Sequence, residues 1–259
     1  MKYAICLVLA SLILFACSDK SSGPNTGAFE LYIQDDVADY DSVIITIDTI
    51  AIVSQSGYGG WNILHANPVT FDLTTLRNGQ RQLAVQRELP AGFVGGVKLI
   101  FGMSRLVIDG ASHVLNFDPS LGDSGVAYGE ILVTKDRTAR GLVDIDVANS
   151  IDYDSGEDLY YFRPSLWLID LDSAGAIYGS ISPRADIYLL TDDTTFSFSV
   201  SNPGGYFGFF GLPQAFYDIR FEPRGLDTLT YDTLRNYVIP IYPPNQFDMG
   251  HLDLPLRGR

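Results

Sequence analysis

Only two cysteines, Cys6 and Cys17, and three histidines occur in the 259 residues. Such small numbers leave no room for a disulfide framework or for a zinc site built on His/Cys clusters. Neither a His-Glu-x-x-His pair nor a Gly-rich phosphate loop is present. Basic residues are scarce as well: 17 Lys and Arg face 31 Asp and Glu, a net charge of −14. A surface of that sign repels phosphate backbones, and no Lys/Arg-rich run offsets it, so nucleic acid is excluded as a partner. Lysine is absent from Ser173 to Arg259, which rules out Lys-based isopeptide cross-links there. What the chain has in quantity is apolar and turn-forming residues: 46% hydrophobic, with 25 Gly and 13 Pro. That composition excludes disorder and is ample for a buried core.

The amino terminus reads as an address. Met1-Lys2 is a short positive start, and the apolar run Tyr3 to Phe15 is too short for a membrane-spanning helix, which needs roughly 20 residues. A secretory signal fits residues 1–16. Leu14-Phe15-Ala16-Cys17 resembles the bacterial lipoprotein signal. That resemblance implies cleavage before Cys17, a diacylglycerol on its sulfur and a fatty-acyl chain, such as palmitate, on its amine. Several acyl chains make a stable anchor at about 0.8 kcal/mol per buried CH₂. Phe15 is bulkier than the residue usual at its position. Residues 17–27 then form a polar, breaker-rich tether, with a reach on the order of 18 Å for ten residues. Ser18 in place of Asp after the lipidated cysteine resembles the outer-membrane sorting pattern. The expected location is therefore the bacterial outer membrane, on either face.

From Ala28 onward, short β-rich runs alternate with Gly, Pro, Asn and Asp. Examples are Phe29–Ile33, Val43–Val53, Gly96–Phe101, Val126–Val133, Tyr160–Ile169 and Phe196–Val200. Val43, Ile45 and Ile47 alternate with Ser42, Thr46 and Asp48, as in a half-buried strand. Asp109-Gly110 and Ser201-Asn202-Pro203-Gly204-Gly205 read as hairpin turns. Only Asp72–Asn78 suggests a brief helical turn. The pattern predicts an all-β protein of two consecutive antiparallel β-sandwich domains, residues 28–172 and 173–259.

Two stretches resemble known families. Gly175-Ala176-Ile177-Tyr178-Gly179, then Asn202-Pro203-Gly204-Gly205, then Gly211-Leu212-Pro213 and Phe216-Tyr217-Asp218 resemble the carboxypeptidase regulatory-like domain, a transthyretin-like sandwich. Ala215 departs from its usual Gly. Phe29 to Ile33, Leu76-Arg77-Asn78-Gly79, Leu89-Pro90-Ala91-Gly92, Val143 to Asp146 and Phe162-Arg163-Pro164 are similar to a widespread bacterial lipoprotein domain of unknown function. Gln34 and Val37 depart from the Thr and Pro usual there. The second likeness implies no activity. The Leu-Pro turn occurs twice, before Phe93 and before Phe216, through related topology or reuse of one turn.

Candidate chemistry is sparse. Gly122-Asp123-Ser124-Gly125 has the look of a serine-protease nucleophile loop but lacks a suitable His context. Asp35, Asp36, Asp39 and Asp41 form one carboxylate group, and Asp152, Asp154, Glu157 and Asp158 another. Hard oxygen ligands at such spacing could hold Ca²⁺; the competing reading is a solvated acidic loop. Asp144 and Asp146 share one strand face and are a remote candidate for a hydrolase pair. Among the aromatics, Tyr206, Tyr217, Tyr231 and Tyr237 are candidates for an exposed stacking surface. The expected function is a non-enzymatic, membrane-anchored envelope module that binds a polysaccharide or an envelope protein. The alternative is a structural accessory subunit or spacer with no ligand of its own.

Overall fold

The computed structural model describes residues 25–36, 40–54, 60–192 and 194–258, and leaves the side chains of Asp36 and Tyr237 undescribed. The lipidation candidate Cys17 and Asp39 lie outside these residues.

The first thirteen strands are β1 (Thr26–Asp36), β2 (Ser42–Ser54), β3 (Asn62–His65), β4 (Val69–Asp72), β5 (Gln82–Pro90), β6 (Gly92–Phe101), β7 (Ser104–Ile108), β8 (Ala111–Phe117), β9 (Ser124–Val133), β10 (Thr138–Asp146), β11 (Ile151–Asp154), β12 (Leu159–Phe162) and β13 (Leu166–Asp170). A single helical turn, α1 (Val147–Ser150), follows β10. Seven more strands complete the chain: β14 (Gly175–Ser182), β15 (Ala185–Thr191), β16 (Thr194–Val200), β17 (Tyr206–Leu212), β18 (Ala215–Pro223), β19 (Leu234–Ile241) and β20 (Gln246–Asp253). None of the described helices is long and apolar enough to cross a membrane.

A four-stranded sheet ordered β13-β10-β1-β5 packs on a nine-stranded sheet that runs β11-β12-β8-β7-β2-β6-β9, with β3 and β4 also on β2. The alternation in β1 puts Phe29, Leu31 and Ile33 inward, where they meet Val143 and Ile145 of β10 and Ile45, Ile47, Val97 and Leu99 of the facing sheet. Strand β2 keeps the predicted phase through Ile47. A register shift against β6 between Ile47 and Thr49 then breaks the period, and Ile50, Ala51 and Ile52 are buried in succession. Strand β9 curls against β13, and Gly129 allows the approach: a Cβ there would sit 2.7 Å from the Leu168 carbonyl oxygen.

The second sandwich pairs the sheet β17-β14-β20 with the sheet β16-β15-β18-β19. Its core holds Ile177, Ile187, Leu189 and Ile219, and Phe207 meets Phe221 edge-on at 5.1 Å between ring centroids. The all-β sandwich reading holds, but three pairs are parallel: β1 with β10, β8 with β12 and β14 with β20. Each of these pairs is joined by a long excursion through other strands, so its members can enter the sheet from the same end.

Turn chemistry was partly legible. Asp109 and Gly110 both take positive φ, 49° and 75°, and join Ile108 to its partner Ala111, as a two-residue hairpin of this hand requires. Asp72 caps the turn Leu73–Thr75, its side chain accepting from Thr74 N. Two expectations need correction. The Asn202 turn is tight, with Gly205 N donating to Asn202 O at 2.8 Å, yet it joins no hairpin: β16 and β17 lie in opposite sheets. The run Tyr160–Ile169 is two strands, because Pro164 has no N–H to donate; β12 and β13 belong to different sheets. Both Leu-Pro turns, after β5 and after β17, also carry the chain between sheets.

Candidate functional site

The first carboxylate group is not one loop. Asp35 lies within β1, is 2% exposed and accepts from Val147 N at 3.4 Å. Asp41 faces the β7–β8 hairpin instead, with its Oδ2 accepting from Gly110 N at 2.9 Å. Asp35 thus serves the start of α1, while Asp41, just before β2, serves a distant hairpin.

The second group surrounds a cation. Arg163 Nε donates to Asp118 Oδ2 at 2.9 Å, and its Nη1 donates to Asp152 Oδ2 at 2.6 Å. Two hydrogen bonds from Ser120, N at 2.8 Å and Oγ at 2.6 Å, hold the Asp118 carboxyl below the usual carboxylate range; Arg163 adds to the effect. Asp154 accepts from Gly156 N and Glu157 N. The phenols of Tyr153 and Tyr161 donate to Asp158 and Glu157, and the lost hydrogen bond raises the pKa of both tyrosines. These carboxylates therefore complete a β-turn and an ion pair. Among the described residues no three His, Cys, Asp or Glu side chains are grouped to hold a metal ion.

Asp144 and Asp146 do face the same way, beside the inward Val143 and Ile145. Asp146 caps α1, accepting from Asn149 N at 3.0 Å and from Asn149 Nδ2 at 2.7 Å. Both residues line a cleft of about 710 Å³ between the two sandwiches. Strands β1, β10 and β13 form one wall, and β16 and β17 form the other. Asn78 lines it as well: its Nδ2 donates to Val200 O at 3.0 Å, and its Oδ1 accepts from Ser199 Oγ and Gly208 N. Asn78, at φ 56°, occupies the left-handed region that Asn tolerates.

The aromatic prediction is corrected at Tyr217, which is fully buried; its hydroxyl donates to Pro213 O at 3.1 Å. The strand phase places Phe216 outward instead, 60% exposed and edge-on to Tyr242. Tyr206 and Tyr231 are half-buried, and burial raises the pKa of Tyr206. The Tyr237 side chain lies outside the description. Linear reading missed Trp167 on β13 and Phe196 on β16, both outward-facing and both lining the cleft. Trp167 was legible as the outward member of an alternating strand; Phe196 was not, since its face depends on a register shift in β15–β16.

Ser124 opens β9 opposite Ile100, while His113 packs at a tilt against Tyr160, 4.9 Å between centroids. The protease-like loop thus has a strand role. A different Ser-His-Asp series lies across β14 and β20: Ser180 Oγ is 2.9 Å from His251 Nδ1, and His251 Nε2 is 3.6 Å from Asp253. Asp253 is 80% exposed on an open sheet face, which gives no dry pocket in which such a pair could act.

The family described as a domain of unknown function, DUF4382, matches residues 26–164. No curated protein matches the chain. Among solved structures, the Bacillus anthracis TIE protein aligns with 88% of this chain at 11% identity and a TM-score of 0.26, and the chain spans 41% of that protein's length. The shaft pilin SpaA from Lactobacillus rhamnosus GG aligns with 90% of this chain and 97% of its own at 9% identity and a TM-score of 0.21. BcpA, the major pilin subunit of Bacillus cereus, covers 89% and 70% at 10% identity and a TM-score of 0.24.

Proposed function

We infer that this chain, which belongs to the DUF4382 family, is a non-enzymatic, lipid-anchored binding module of the bacterial outer membrane that recognises a polysaccharide or an envelope protein. The observation that carries this reading is how the chemistry-bearing side chains are used. Asp146 caps a helix, Asp154 closes a turn, Asp118 and Asp152 share Arg163, and Ser124 starts a strand. Aromatic side chains meanwhile stand outward at Trp167, Phe196, Phe216 and Tyr242. Rigid, amphipathic rings at half-wet positions serve recognition better than catalysis. The Leu14 to Cys17 signal and the tether up to Gly27 support the anchor, and the Gly175-to-Asp218 turn pattern supports a transthyretin-like second domain from Ser173 onward. Ca²⁺ at Asp35, Asp36, Asp39 and Asp41 belongs to the same proposal.

A second reading, a structural spacer in an envelope complex, is favoured by the Asn78 hydrogen bonds, which tie the two sandwiches together. Binding of the protein to a panel of envelope polysaccharides, with and without Ca²⁺, separates the readings. Saturable binding supports the polysaccharide module; no polysaccharide binding with one protein captured by in-cell cross-linking supports the envelope-protein partner; neither polysaccharide binding nor a captured protein supports the spacer. Cys17→Ala tests the anchor: the variant should leave the membrane fraction.

A further inference from the structure

The cleft between the sandwiches has the size of a small-ligand site, roughly 300–1,000 Å³. Its lining has a single electrostatic sign. Asp35, Glu130, Asp144, Asp146 and Asp170 contribute carboxylates, and no Lys, Arg or His is among the described residues around it. Two aromatic side chains stand at it from opposite walls: Trp167, 63% exposed, and Phe196, 50% exposed and held edge-on against the buried Tyr217 at 5.5 Å. Gln34 also lines it, only 6% exposed, and its Oε1 has no hydrogen-bond partner among the described residues. Buried amide oxygens are nearly always paired, so an orphan at a cleft wall marks the place of a missing donor.

We propose that this cleft binds an amine-bearing saccharide. The proposal rests on the reading of the chain as a binding module and names its site and ligand class. A sugar ring offers an apolar face to Trp167 or Phe196, and a hydroxyl on its rim donates to Gln34 Oε1. The acidic lining selects a protonated amine and repels uronic or sulfated sugars. Trp167 and Phe196 come from different sandwiches, so the site exists only when the Asn78 contacts hold both walls together.

The test is calorimetric titration of the full chain in detergent with a glucosamine trimer, its N-acetylated counterpart and oligolysine. The glucosamine trimer should bind saturably, at least tenfold tighter than the N-acetylated trimer, and oligolysine should not compete. Trp167→Ala should weaken binding at least tenfold; its side chain is largely exposed, so folding should be unaffected. Gln34→Leu should weaken it with the melting temperature kept or raised. Equal affinity for the N-acetylated trimer, or tighter binding of oligolysine, overturns the ligand class. Trimer binding unchanged by Trp167→Ala overturns the site while leaving the binding module standing. Absence of binding to any saccharide overturns this proposal, and the reading as a binding module falls with it only if in-cell cross-linking also captures no envelope protein.

Discussion

Asn78 reaches across 121 positions to Ser199, whose hydroxyl donates to Asn78 Oδ1 at 2.7 Å. The same amide bonds Val200 O and Gly208 N, so one side chain of the first sandwich meets both sheets of the second. Ser199 is only 2% exposed.

Asn78→Gly, which keeps the positive φ, should therefore destabilise the protein by about 1–3 kcal/mol, since it strands buried polar partners. Asn78→Ala adds the left-handed backbone cost, roughly 1–2 kcal/mol more. Denaturant midpoints of both variants measure this. A midpoint equal to that of the parent for Asn78→Gly would show that the bonds add nothing.

Gly79, at φ 80°, sits under the ring of Phe210, where a Cβ would collide with ring carbons. Gly79→Ala should cost about 2–4 kcal/mol, from backbone strain and displacement of the ring. Phe210→Leu in the same chain should recover part of that loss, a coupling that a double-mutant cycle reads directly. Strict additivity would mean that the ring moves aside freely.

Tyr217 should titrate last among the tyrosines. Burial pushes its phenol up to about 12. The folded state thus favours the neutral form: the stabilisation is complete below pH 10 and is lost as pH rises toward 12. Alkaline spectrophotometric titration should show one late phase, absent in Tyr217→Phe. That variant should lose about 1 kcal/mol with the bond to Pro213 O.

Asp118 is depressed first by Ser120 and only then by Arg163. Its contribution to stability is present above the carboxyl pKa of the unfolded chain and is lost as pH falls through the lower folded value. Ser120→Ala should raise the Asp118 pKa more than Arg163→Met does, as read by NMR titration of the carboxyl carbon. The opposite order would make the ion pair the dominant cause.

Much of the fold was written in short-range pattern. Phe29, Leu31 and Ile33 face the core because strand side chains alternate; Asp109-Gly110 turns because both positions accept positive φ; Asp72 caps because its carboxylate reaches Thr74 N two residues on. Each depends on neighbours within a few residues. Prediction failed where the decision was long-range. Tyr217, a candidate for the exposed surface, faces the core, since a one-residue change of phase inverts a strand and only the packing partner sets that phase. The Asn202 turn was read correctly as a turn and wrongly as a hairpin, because turn chemistry does not say which sheet the next strand joins.

The sequence by itself determined the all-β class, the acidic surface and the turn positions, because composition and period are local quantities. Tertiary structure alone decided that Gln34, Asp144, Trp167 and Phe196 share one cleft. They come from four strands of two sandwiches, and their meeting depends on sheet order and on the Asn78 contacts, which no period of two or three residues encodes.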